Sequence, residues 1–356
     1  MTIGILTFHW ATNYGAVLQC YALQCFLESL GHEVKVIDYK PRRYDDSFRK
    51  FLYSCKKRQL REYFDIFRKE KALVRFRKSH LNMTRRLYVY EEILVVARGF
   101  DAIISGSDQV LSPFFLMNGD EKGKVTPAYF LGFPYDGIRI GYALSFGCVT
   151  YPEDASKVAA PYVNAFDHLS VREATGVGIV RSMGRKDVEL VQDPTLLMNS
   201  DFYKSLADEH KTGKTEHYVY AFFIRNVAER KTAVNEVFGE GTVLWNNEDG
   251  NCMMQGWLSK IAQAESVVTD SFHCMVMCLK MHKPFVVVTE EEGLVGMNDR
   301  FCTLLGNMGL SGNIVFKSMM SEIRTIVCRP IDWRRVDAEI LKLKSVGESY
   351  LRESLS

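Results

Sequence analysis

The stretch VVTDSFHCMVMCLKMHKPFVVVT, residues 267–289, has valine-rich ends and a middle whose apolar residues recur at helical spacing. A continuous apolar run predicts a strand buried on both faces, the condition of parallel sheets with helices packed on either side. The stretch therefore reads as strand, helix, strand, the threading of an α/β unit. Asp270 and Ser271 stand at the turn, where their side chains suit a helix N-terminus. Capping does not account for His273, which falls in the first turn near the positive end of the helix dipole. It reads either as a packed histidine or as a catalytic one.

The same threading extends in both directions. MTIGILTF is an apolar run, HWATNYGA has loop chemistry, VLQCYALQCFLESLG has helical spacing, and HEVKVIDY alternates into a second strand. FDAIISGSDQV, IRIGYALSFG, HLSVREATG and VELVQDPTLL each predict a strand ending in a polar, charged or Gly-containing turn. Parallel sheets place ligands beyond the carboxyl ends of their strands, so these turns are expected to share a site. A second series, from HYVYAFFI through TVLWN to KPFVVVT, repeats the pattern. The expected organisation is a first domain over residues 1–196, a second over 197–330, and a C-terminal helix over 331–356 that packs back on the first.

With 356 residues, 47% apolar and 25% charged, the composition favours a folded chain of two domains over a disordered or fibrous one. The nine cysteines form no Cys-x-x-Cys pair and no ligand cluster, so no metal is expected. The start lacks a signal-peptide pattern, and no apolar run approaches the ~18 residues of a membrane span. A cytoplasmic location is expected. The net charge of +2 conceals a basic segment from Lys40 to Tyr90, with 17 basic and 5 acidic residues, a local charge of +12. Within it Phe48, Phe51, Cys55, Tyr63, Phe67, Leu73 and Phe76 recur at roughly helical spacing, predicting an amphipathic insertion. It reads as a solvated basic face or as a surface drawn to anionic lipid or a phosphorylated, lipid-linked substrate. No recognition motif accompanies the charge, so nucleic acid is not an expected partner.

Four turns carry the candidate ligand contacts. The first loop offers only Gly15 where a dinucleotide fingerprint needs three glycines, which argues against NAD, while Asn13 and Tyr14 can hydrogen-bond a sugar. Asp108 and Gln109 follow a predicted strand, and Asp108 can accept from a sugar hydroxyl or cap a helix. Gly147 permits close approach of backbone to a ligand. Arg172 ends another strand, where its planar fork suits a phosphate or carboxylate, or pairs with Glu173.

Taken in order, NYGAVLQCYAL, FDAIISGSDQV, YALSFG, SVRE, DPTLL, VVTDSFH with its apolar helix and KPFVVV, and Asn298 with Arg300 resemble the polysaccharide pyruvyl transferase family. The resemblance runs from Ile3 to about Leu310. It implies two Rossmann-like α/β domains facing a cleft, similar to the GT-B glycosyltransferases. It also implies transfer of an enolpyruvyl-derived group from phosphoenolpyruvate to two hydroxyls of a sugar in a polysaccharide or lipid-linked precursor, with no further cofactor. In that scheme His273 is the catalytic acid. Arg172, Ser271, Asn298, Arg300 and Gly147 bind the donor, and Asn13, Tyr14, Asp108 and Gln109 bind the acceptor. Peripheral contact with the inner face of an anionic membrane through residues 40–90 fits a lipid-linked acceptor. A nucleotide-sugar-dependent glycosyltransferase and a non-catalytic glycan-binding relative are the competing readings.

Overall fold

A computed structural model describes residues 1–45, 60–210, 217–225, 227–246, 252–290 and 295–356. The chain forms two compact units, Met1–Leu197 with Leu343–Ser356, and Met198–Lys342. Each is built on one parallel sheet with helices before and after its strands.

The first sheet contains β1 (Thr2–Leu6), β2 (Glu33–Val36), β3 (Ala102–Ser105), β4 (Ile138–Leu144), β5 (His168–Val171) and β6 (Glu189–Leu190), in the order β2-β1-β3-β4-β5-β6. The second contains β7 (Val219–Phe222), β8 (Val243–Trp245), β9 (Ser266–Thr269), β10 (Phe285–Thr289) and β11 (Ile314–Phe316), in the order β8-β7-β9-β10-β11. Both therefore follow the 2-1-3-4-5 order of doubly wound sheets, with β6 added to the edge of the first. The two Rossmann-like units expected from the sequence are present. The central strands are the continuous apolar runs AIIS, SVVT and FVVVT, every residue buried, because helices cover both faces.

Among its described residues the basic segment contributes the long helix Leu60–His80. Phe48, Phe51 and Cys55 lie outside the described residues. The last helix, Trp333–Ser354, passes from the second unit to the first, to which Leu343–Ser356 belong. There the Tyr350 hydroxyl donates to Gly141 O at 2.8 Å, and a Cβ on Gly347 would fall 2.5 Å from the Tyr142 hydroxyl. Glycine is what allows this helix so close to β4. Among the described residues, no helix is long and apolar enough to cross a membrane.

Candidate active site

In the second unit the chain leaves β7 for β8 on one side and reaches β9 on the other, so the crevice beyond β7 and β9 is a topological switch point. The Thr269 hydroxyl donates to Phe222 O at 2.6 Å and accepts from Ser271 N at 3.0 Å, fixing the two strand tips together. Ser271 is extended at φ −98° and ψ 123°, and its Oγ accepts from Cys274 N at 3.4 Å, so it is the N-cap of the helix Phe272–Lys280. His273 is the second residue of that helix, 6% exposed, with its ring edge-on to Phe272 at 5.4 Å between centroids. The Arg300 guanidinium lies 5.5 Å over the same Phe272 ring and 5.2 Å over Phe301. One aromatic side chain thus carries the histidine at its edge and a cation over its face.

Asp270 has a different task from the capping expected of it. Its carboxylate accepts from Ile224 N at 2.7 Å, Arg225 N at 3.1 Å and Arg230 Nη1 at 3.0 Å. Arg230, itself buried, also donates to Glu290 Oε1 at 2.6 Å and lies 5.0 Å over the Phe223 ring. Asp270, Arg230 and Glu290 therefore hold the ends of β7, β9 and β10 in register around the switch point. Burial pushes the Asp270 carboxyl above its ordinary value, while the two backbone N–H groups and the arginines pull it down in part. Asn298 donates from Nδ2 to Glu290 O at 3.0 Å, joining the start of its helix to the same corner.

The first unit gathers its own set beyond β3, β4 and β5. Asp108 adopts φ +109°, rare for a residue with a side chain. Its carbonyl accepts from Ser145 N at 3.1 Å, and its Oδ1 accepts from Gln109 N at 2.8 Å. Gly147, at φ +67°, packs so close that a Cβ would stand 3.0 Å from the Gln109 side chain. Behind them Arg172 is 1% exposed. Its Nε donates to Glu173 at 2.9 Å, its Nη1 to Asp193 at 3.1 Å and Ser107 Oγ at 3.0 Å, and its Nη2 lies 3.9 Å from Asp108. Burial alone would lower its pKa, yet the three carboxylates outweigh that and raise it.

Residues 13–292 match the family model described as polysaccharide pyruvyl transferase. The chain belongs to that family. No curated protein matches the chain. Among solved structures it is similar to a glycotransferase of kitacinnamycin at 12% identity and TM-score 0.42, over 99% of this chain and 97% of that one. It is also similar to the spinosyn forosaminyltransferase SpnP at 9% identity and TM-score 0.40, over 98% and 95%. The heptosyltransferase WaaC of E. coli with ADP gives 11% and 0.41, over 89% and 92%. Likeness at these values carries no argument about the reaction.

Membership of the polysaccharide pyruvyl transferase family gives these positions their interest, and several of them differ from the sequence expectation. Within the first unit Asp108, Gln109, Gly147 and Arg172 come together. Arg172 is buried with its guanidinium among Glu173, Asp193 and Asp108. Asn13 spends its side chain on capping the helix Tyr14–Ser29, accepting from Gly15 N at 2.9 Å. Tyr14 is 1% exposed and its ring lies under the Lys69 ammonium at 4.3 Å. The basic helix latches this loop further: Thr12 donates to Glu70 at 2.7 Å, and Arg77 donates to Glu70 and to the carbonyls of His9 and Ala11. In the second unit Ser271, His273 and Arg300 do share one corner, and Asn298 braces it.

Sequence reading missed the buried polar ties. Arg230 and Glu290 were not singled out, because their partners are distant in the chain. His9, fully buried, has Nδ1 3.1 Å from Thr7 O and Nε2 2.8 Å from Asp38 Oδ1, and Asp38 Oδ2 accepts from Arg86 at 2.7 Å. A carboxylate closing the alternating strand VIDY was the available signal. Burial raises the Asp38 pKa, but contacts with His9 and Arg86 outweigh it and hold the carboxyl below its ordinary value. Its stabilising contribution is then complete above the unfolded value near 3.8 and lost as pH falls through the lower folded one. Asp38→Asn is expected to lower stability by about 2 kcal/mol near neutrality. In denaturant titrations the gap to the parent protein should close below about pH 4; a gap that persists at still lower pH would contradict this linkage.

Proposed function

We propose that the chain transfers a pyruvyl group from phosphoenolpyruvate to two hydroxyls of a glycan sugar, forming a cyclic pyruvate ketal and releasing phosphate. The observation that carries this reading is His273 in a family member: an imidazole in the first turn of a helix, at the switch point of a parallel sheet, beside an arginine stacked on the same aromatic.

The chemistry needs one proton donor and one anion site. Proton transfer to the methylene carbon of phosphoenolpyruvate leaves an electron-poor C2, which a sugar hydroxyl attacks with loss of its proton. Departure of phosphate regenerates an electron-poor C2, and the second hydroxyl closes the ketal; of the two hydroxyl protons, one restores the acid and the other leaves with the phosphate. His273 supplies the first proton in this account. A positioned acid of this kind contributes roughly 10²- to 10⁴-fold. The donor's phosphate and carboxylate find their partners in Arg300 and at the positive start of the helix Phe272–Lys280. Ser271 caps that helix, and Asn298 orients the helix that carries Arg300. Asp108 and Gln109 face the acceptor, with Gly147 giving them room, and Arg172 acts through Asp108 by holding it in its left-handed conformation. The acceptor is a sugar of a polysaccharide or lipid-linked precursor.

Incubation with phosphoenolpyruvate and a panel of synthetic and lipid-linked glycosides tests the reading. Phosphate should appear in step with a product heavier than the glycoside by pyruvate less one water. Consumption of a nucleotide sugar, with phosphoenolpyruvate untouched, would instead make the chain a glycosyltransferase. Binding of glycosides without turnover of either donor would make it a non-catalytic relative.

A further inference from the structure

The basic helix Leu60–His80 has two faces of opposite character. Leu73, Phe76 and Arg77 are buried, Phe76 meets the Tyr21 ring at 5.6 Å, and Glu70 and Lys69 turn inward to Thr12 and Tyr14. On the opposite side Phe64, Phe67, Arg68, Lys71, Arg75 and Lys78 are all exposed. At helical spacing these six fall within an arc of about 100°. Phe64 and Phe67 are each 50% exposed and Ile66 is 53% exposed, so the early part of the helix leaves apolar side chains in water on more than one side. Tyr63 lies against both phenylalanines, at 5.7 and 6.3 Å between ring centroids. The stripe thus begins in an aromatic group and continues as four cations, over about 21 Å from Phe64 to Lys78.

We infer that this face docks on an anionic lipid surface, with the aromatic end entering the headgroup region and the four cations lying along it. Folding gives no reason to expose Phe64 and Phe67 side by side. Their position at one end of a cationic stripe matches the way interfacial helices combine burial of apolar groups with attraction to acidic headgroups. Among the described residues Asp65 lies 3.0 Å from Arg68, and with both side chains well exposed that pair holds the arginine weakly. A protein partner or a single-stranded RNA could also meet cations and aromatics. Stacking on RNA bases would call for aromatics interspersed with the cations, whereas Phe64 and Phe67 are grouped at one end of the stripe.

Flotation of the full chain with vesicles tests the surface and reads binding, not turnover, so its outcome is separate from that of the proposed reaction. The protein should float at low salt with phosphatidylcholine vesicles containing phosphatidylglycerol, not with pure phosphatidylcholine, and release should follow as salt rises. Phe64→Ser with Phe67→Ser leaves the charge unchanged and should lower partitioning at least tenfold. Lys71→Gln, Arg75→Gln and Lys78→Gln together should lower it on the order of a hundredfold, roughly fivefold per cation. Thermal melting of both variants should match the parent, since every changed side chain is exposed. No flotation of the parent at low salt overturns the proposal. So does equal flotation of the double phenylalanine variant, or binding to a single-stranded RNA oligonucleotide that outcompetes the vesicles.

Discussion

His273→Gln is expected to lower turnover by roughly 10²- to 10⁴-fold, the contribution of a positioned general acid, and to leave phosphoenolpyruvate binding within a few-fold. The separation follows from where the side chain sits. The helix start is made by Ser271 and the strand tips by Thr269, so replacing His273 removes neither. Gln keeps a polar group of similar reach in a site only 6% exposed, and it cannot protonate carbon. In the proposed reaction anion affinity rests on Arg300 and on the positive start of the helix, which the substitution leaves in place. Calorimetric titration of the donor, melting temperature and phosphate release on one acceptor read the three quantities separately. Turnover near the parent level would reduce His273 to a packing residue beside Phe272 and send the search for the acid elsewhere.

Arg172→Met should instead act on stability, by about 3–5 kcal/mol, the usual cost of breaking a buried ion pair from one side. The reason is what remains behind. Asp193 is fully buried and Glu173 nearly so, and both would keep a charge with its main partner gone. Asp193 retains Thr195 N and Oγ1 and Ser107 Oγ, which soften the loss without replacing a cation. The melting transition that reports the first unit is expected to fall by about 10 °C or more. Asp108, at φ +109° and close to Nη2, should relax, raising the KM for acceptor more than that for donor. An arginine that served only to bind the donor would show the reverse, an unchanged melting curve with weakened phosphoenolpyruvate binding.

The fold was legible wherever strands are buried on both faces. IGIL, AIIS, SVVT and FVVVT read as apolar runs because both of their faces are buried, and their spacing between helical stretches announced the parallel threading. The run VELVQDPTLL promised a longer strand than the two exposed residues of β6, because at a sheet edge pairing, not pattern, decides the length. Site residues were legible by place and not by partner. Ser271 was readable as a cap because its partner, Cys274 N, is three residues away. Asp270 was misread as a second cap because its partners, Ile224, Arg225 and Arg230, are 40 to 46 residues away. For Arg172 the adjacent Glu173 was visible, whereas Ser107 and Asp193 come from turns distant in the chain. Charge pattern marked the segment that covers Tyr14, and nothing in that pattern foretold that Lys69 and Glu70 would close over the first loop.

The most direct measurement of the central claim is the mass of the glycan product formed from phosphoenolpyruvate in deuterium oxide. If an acid protonates the methylene carbon before the ketal closes, each product molecule carries one deuterium in its new methyl group, and one phosphate is released for each ketal. Loss of both signals in His273→Gln would tie that proton to this residue. A glycan product without the pyruvate mass, or formed while phosphoenolpyruvate stays intact, would contradict the account.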